Sequence, residues 1–193
     1  CGSTRQAECV DVLSNTENSR YSFELKYEDE KELIAVTDKS SGESFIIPEE
    51  TFVDESYSIM SIYPTENYLY YMKGRNSGVS IYRIKLSDMT REEIIKSSDT
   101  ADKSILGLTF SWSDTENRFS AVRLFSDEKN IYLIDKNGMV FVLNPFAEKI
   151  TDCTCIIEES VLGGCIFDGK AIYYIDEDGV QKMYNVVNKT FRI

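Results

Sequence analysis

Ile131-Tyr132-Leu133-Ile134-Asp135-Lys136-Asn137-Gly138 and Ile172-Tyr173-Tyr174-Ile175-Asp176-Glu177-Asp178-Gly179 carry one pattern, 41 residues apart. Four aliphatic or aromatic residues are followed by an Asp, two polar residues and a Gly. β-Branched and aromatic residues fit a pleated surface, and Asn-Gly or Asp-Gly supplies the positive φ of a two-residue hairpin. Each stretch therefore predicts a strand running into a tight turn. A third copy is Leu69-Tyr70-Tyr71-Met72 with turn residues at 73–78, and a weaker fourth is Leu33-Ile34-Ala35-Val36 with turn residues at 37–42.

The copies share their surroundings. Upstream of each lies an apolar strand, at 23–27, 59–63, 122–125 and 164–167, joined to it by a polar turn. Downstream lies another, at 44–47, 79–86, 139–143 and 180–186, and a polar strand or turn closes the unit, as at 147–151 and 188–193. Residues 87–96 carry the cap and acidic first-turn signals of a short helix, and read as a turn or short helix entering an outer strand. Four antiparallel strands recurring about every 40 residues is the period of a propeller blade. One small sheet cannot cover both its faces, and stacking sheets covers them against each other. The expected fold is all-β: a propeller-like array of about four four-stranded antiparallel blades, closed or incomplete. A β-sandwich or barrel is the alternative, and the in-register repeat favours the propeller. Residues 1–19 read as a tether or outer strand, and 20–193 as a single domain with an inserted hairpin at 99–118.

The Ile-Tyr-Tyr-x-Asp pattern of the second strand resembles the short-blade β-propeller repeats of secreted and lipid-anchored bacterial proteins, over residues 20–98 and 119–193. That resemblance implies a scaffold for recognition or assembly, with no shared reaction. Cys1-Gly2-Ser3-Thr4 resembles the mature start of a bacterial lipoprotein, which implies acyl chains on Cys1, a place on the cell envelope outside the cytoplasm, and membrane contact only through that anchor. The other reading of this start is a domain boundary that falls at a Cys.

Composition narrows the chemistry. Among 193 residues, 42% hydrophobic with 12 Tyr and 10 Phe, there is ample material for a core, which excludes a disordered chain. No apolar run reaches the ~20 residues of a membrane-spanning helix. With 21 Lys and Arg against 33 Asp and Glu the net charge is -12, the wrong sign for nucleic acid. The count of His is 0, which removes the usual general base, the usual zinc ligand and any Ser-His or Cys-His dyad. The expectation is a protein with no catalytic residue, cofactor or metal.

Candidate sites are correspondingly few. Cys9, Cys153, Cys155 and Cys165 read as free thiols, as one or two disulfides, or as metal thiolates. One residue between Cys153 and Cys155 is a poor zinc spacing. Trp112 and Phe110 of the inserted hairpin, with Tyr68 and Tyr70, are candidate binding residues, and core packing is the plainer reading of each. Asp135 and Asp176 superficially open calcium loops, but position twelve is Phe146 in one and Val187 in the other instead of Glu, so hairpin turns are favoured. Glu49-Glu50, Glu92-Glu93 and Glu158-Glu159 read as solvated pairs, and Gly163-Gly164 as a bulge or close packing. The functional expectation is a non-enzymatic extracytoplasmic domain that recognises a protein or glycan. Its alternatives are a carboxylate-based glycan hydrolase and a partial propeller completed by another chain.

Overall fold

The computed structural model describes residues 10–13, 15–29, 31–52, 57–75, 78–95, 121–135, 137–146 and 154–193. The described elements are sixteen strands in four antiparallel sheets. β1 (Val10–Asp11) joins the last sheet. β2 (Tyr21–Glu28), β3 (Lys31–Asp38) and β4 (Ser44–Phe52) make the first sheet. β5 (Tyr57–Pro64), β6 (Tyr68–Arg75), β7 (Gly78–Lys85) and β8 (Thr90–Ile95) make the second. The third holds β9 (Ala121–Ser126), β10 (Ile131–Asp135), β11 (Val140–Leu143) and β12 (Thr154–Ile157). The fourth holds β13 (Cys165–Phe167), β14 (Ala171–Ile175), β15 (Gln181–Asn185) and β16 (Thr190–Arg192), with β1 beside β13.

The turns are fixed by side-chain acceptors. Asp135 Oδ1 accepts the N–H groups of Asn137 and Met139, both at 2.9 Å. Asp176 Oδ1 accepts those of Asp178 at 2.9 Å and Val180 at 2.8 Å. These are the Asp residues of the repeat, and Gly138 and Gly179 supply φ of 83° and 79°. The turn before the repeat strand has its own acceptor: Asp127 Oδ1 takes the N–H of Asn130 at 2.6 Å, and Asp168 Oδ1 that of Ala171 at 2.7 Å. Such local bonds hold the backbone in a turn without long-range help.

Residues 86–89 are a turn and 90–95 an outer strand, the first of the two forms expected for this stretch. Met89 takes φ of 58°, Asp88 accepts the N–H of Thr90 at 3.0 Å, and Arg83 Nε bonds Glu92 across the strand pair at 2.7 Å. A partner strand and a tight turn thus override the helix signal. The fourth strand of the third sheet is Thr154–Ile157, while residues 147–151 lie outside the described residues. Among the described residues the first sheet has three strands, since β4 ends at Phe52 and β5 begins at Tyr57.

The sheets stack face to face in chain order. In β6, Leu69 and Tyr71 point toward the first sheet, where they pack with Phe23, Ile34 and Val36. Tyr70 and Met72 point the other way, into a core shared with the third and fourth sheets. Alternation along a strand buried on both faces produces this continuous apolar run. Phe125 stacks on Tyr132 with centroids 4.8 Å apart, and meets Phe167 at 5.1 Å and Tyr63 at 6.3 Å. One ring therefore ties three sheets together. The first strands converge, β5 lying against β9, and Leu124 N–H donates to Ser61 Oγ between them at 3.3 Å. The turns are also bridged: Asn18 Nδ2 donates to the Thr65 carbonyl at 2.8 Å, and Thr65 Oγ1 to Glu128 at 2.6 Å. Val12 N–H donates to the Cys165 carbonyl at 2.9 Å, so the N-terminal segment runs from the fourth sheet back to the first. This is a propeller-like array of four small sheets.

Candidate binding groove

The repeat Asp of the fourth sheet builds a polar cluster. Asp176 Oδ1 is spent on its turn, and Oδ2 takes Lys182 Nζ at 2.8 Å. Lys182 stands on β15 directly opposite Tyr174 of β14. Its ammonium also meets Glu159 Oε2 at 2.6 Å, and the Tyr174 hydroxyl donates to Glu159 Oε1 at 2.6 Å. Glu159 comes from the connection between β12 and β13. Two carboxylates, an ammonium and a phenol thus form a closed network at the boundary of the third and fourth sheets.

Their ionisation follows from this arrangement. Hydrogen bonds from Lys182 and then Tyr174 lower the Glu159 pKa, and Lys182 followed by the Val180 N–H lowers that of Asp176. Asp176 and Glu159 in turn raise Lys182. Burial, and then the Glu159 carboxylate, raise Tyr174. At neutral pH both acids are ionised, Lys182 is charged and the phenol keeps its proton. Acid–base catalysis draws on carboxyls driven apart in pKa. Here both move down.

The network borders a groove of about 630 Å³ between the outer strands β12 and β16. Ile156 and Cys155 form one wall. Phe191, exposed to 55%, and Ile193 form the other, and Phe191 rests on Tyr184 at 4.7 Å. Glu158 and Arg192 add a charge of each sign. Among the described strands β16 is the outermost of its sheet, so its edge runs along the groove.

No protein-family model matches the chain, and no curated protein matches it. Among solved structures, a nidogen/laminin complex is similar at 13% identity and a TM-score of 0.49, covering 88% of this chain and 59% of that one. TolB from Acinetobacter baumannii is similar at 12% identity and a TM-score of 0.40, over 90% and 51%. The tricorn protease is similar at 9% and 0.45, over 92% and 18%. The chain thus spans about half the length of the first two, or a little more. The fold assignment itself stands on the order of the chain's own sheets.

The residues singled out from sequence fall elsewhere. Tyr70 is fully buried, a correction to its place among binding candidates: its strand is covered on both faces. Tyr68 is half-buried with the Arg83 guanidinium 4.4 Å over its ring, away from the groove. Trp112, Phe110, Cys1, Cys9 and Cys153 lie outside the described residues. Cys155 and Cys165 are free thiols, and burial pushes Cys165 up to about 12. Of these two, Cys155 lines the groove. Glu159, which reads from sequence as one of a solvated pair, is half-buried, and neither Lys182 nor Phe191 is among the sequence candidates. The available signal was parity: Lys182 shares its face of β15 with the core residue Tyr184, an inward position for a charge.

Proposed function

We propose that this chain is a non-enzymatic recognition domain, and that its ligand is an extended polypeptide segment lying in the groove between β12 and β16. The carrying observation is the meeting of three features in one place: the edge of β16, outermost among the described strands of its sheet, apolar side chains at Ile156, Phe191 and Ile193, and fixed charges of both signs. Added strands gain affinity from main-chain bonds and specificity from side-chain pockets. The downward shifts of both network acids support binding over catalysis. The cell-envelope setting implied by Cys1-Gly2-Ser3-Thr4 belongs to the same proposal, and labelled palmitate recovered on Cys1 in the producing cell tests it.

For the groove, peptides selected from a random display library against the whole chain are the probe. Their affinity is expected to fall at least about tenfold in Phe191→Ala, the loss typical of an aromatic anchor, and to fall again in Lys182→Ala. Peptides that bind both variants as well as the parent contradict the reading, as does a glycan array that yields ligands where the peptide library yields none.

A further inference from the structure

The charges around the groove do not balance. The Lys182 ammonium is taken twice, by Glu159 at 2.6 Å and Asp176 at 2.8 Å, so two carboxylates share one cation. Glu158, which follows β12, lines the groove, is exposed, and has no ion pair among the described residues. Its charge is felt at the groove wall, where burial first and Glu158 second push the Cys155 thiol up. Arg192 does not answer it. Phe191 shares the face of Tyr184, whereas Arg192 is paired with Met183 and points to the other face of the fourth sheet. The groove therefore carries a surplus of negative charge, in a chain whose net charge is -12.

Elsewhere the chain shows how its surface holds a cation between a ring and an acid. At the boundary of the second and third sheets the Arg83 guanidinium lies 4.4 Å over the Tyr68 ring and 4.5 Å over that of Phe146, and its Nε bonds Glu92 at 2.7 Å. Arg20 is placed in the same way, 4.8 Å over Tyr21 and 3.0 Å from Asp38. The ring face attracts the flat guanidinium, and a carboxylate accepts its N–H groups. The groove offers the same two parts, an exposed ring at Phe191 and a carboxylate at Glu158. Among the described residues no cation lies over Phe191, whose ring contact is with Tyr184.

We propose that the groove takes a basic peptide, and that an arginine of this peptide supplies the missing cation, its guanidinium over Phe191 and paired with Glu158. The inference rests on the groove reading above and adds the chemical class of the ligand. A chain of charge -12 draws a cationic segment toward it. Once seated, the peptide displaces water from around the pair, which strengthens the attraction. Lysine fills the position less well, because a compact ammonium has neither the flat face nor the fork of donors. An acidic segment would set like charges against Glu158 and Glu159.

Peptides selected by display against the full chain test this, the best of them synthesised with each arginine in turn replaced by citrulline. Citrulline keeps the shape of arginine and loses its charge. The selected set is expected to be rich in arginine, and one citrulline replacement should lower affinity at least about tenfold, as loss of a hydrogen bond between charged groups does. In Glu158→Gln the arginine peptide should lose a similar factor and the citrulline peptide none. Glu158 is exposed, so circular dichroism should not change. Selected peptides that lack arginine, yet lose affinity in Phe191→Ala, overturn this inference and leave the groove reading in place. A Glu158→Gln loss equal for the arginine and citrulline peptides does the same. A library that yields no binder, or binders indifferent to Phe191→Ala, overturns both.

Discussion

Gly138 and Gly179 occupy the same place in the repeat, with φ of 83° and 79°, yet their neighbours differ. A Cβ on Gly179 would meet open space, whereas one on Gly138 would run into Ser160 Oγ and stand 2.9 Å from Ser160 Cα. Gly179→Ala is expected to cost about 1–2 kcal/mol for left-handed backbone alone. Gly138→Ala should cost about 1–3 kcal/mol more, because Ser160 must move. Urea unfolding of the two variants measures the difference, and equal losses contradict it. The turn role of both glycines is legible in Asn137-Gly138 and Asp178-Gly179, since a turn is local. The approach of Ser160 is not, because it joins two sheets. Gly163 is a similar case: a Cβ there would lie 3.2 Å from the Ile175 carbonyl, the close packing read from Gly163-Gly164. Asp38 shows the electrostatic side. Hydrogen bonds from the Ser40 hydroxyl and N–H, then Arg20, lower its pKa from 3.8 to about 2. A carboxyl depressed on folding contributes stability that is full above its unfolded value and is lost as pH falls through the folded one. Stability should therefore drop between 3.8 and about 2, and less steeply in Asp38→Asn. Identical slopes would contradict this role for Asp38.

Leu69-Tyr70-Tyr71-Met72 shows what an element hides when read alone. Its apolar, aromatic character predicts a strand, and β6 is one. Which tyrosine is available to a ligand depends on how many faces are covered, and that depends on neighbouring sheets distant in sequence. Tyr70 and Tyr71 are both fully buried, on opposite faces. Tyr70→Ala is accordingly expected to cost about 3–5 kcal/mol, as large aromatic truncations in cores do. Tyr68→Ala, at a half-buried position, should cost well under half of that. Denaturant midpoints decide the order, and a Tyr68→Ala loss equal to that of Tyr70→Ala would contradict the placement. The Lys182–Glu159–Asp176 network was harder to anticipate. Its members come from a loop, a turn and a strand, and only the inward parity of Lys182 hinted at it. The stretch from 87 was legible only as a choice between a turn and a short helix: its cap signals are real, and Asp88 uses them to close a turn onto Thr90.

The period of about 40 residues carried the architecture of the whole molecule, because each unit is one local meander and its hairpins are written in consecutive residues. How the meanders meet is non-local and left little trace in the sequence, so the clasp from Val12 to Cys165 could not be read in advance. Stacking in chain order is the claim on which the groove depends. Phe125 is the natural reporter, since its ring touches Tyr63 of the second sheet at 6.3 Å and Phe167 of the fourth at 5.1 Å. A nuclear Overhauser spectrum with labelled aromatic rings measures those contacts directly. Cross-peaks from Phe125 to both Tyr63 and Phe167 are expected, and a spectrum in which Phe125 sees neither ring would contradict the stack.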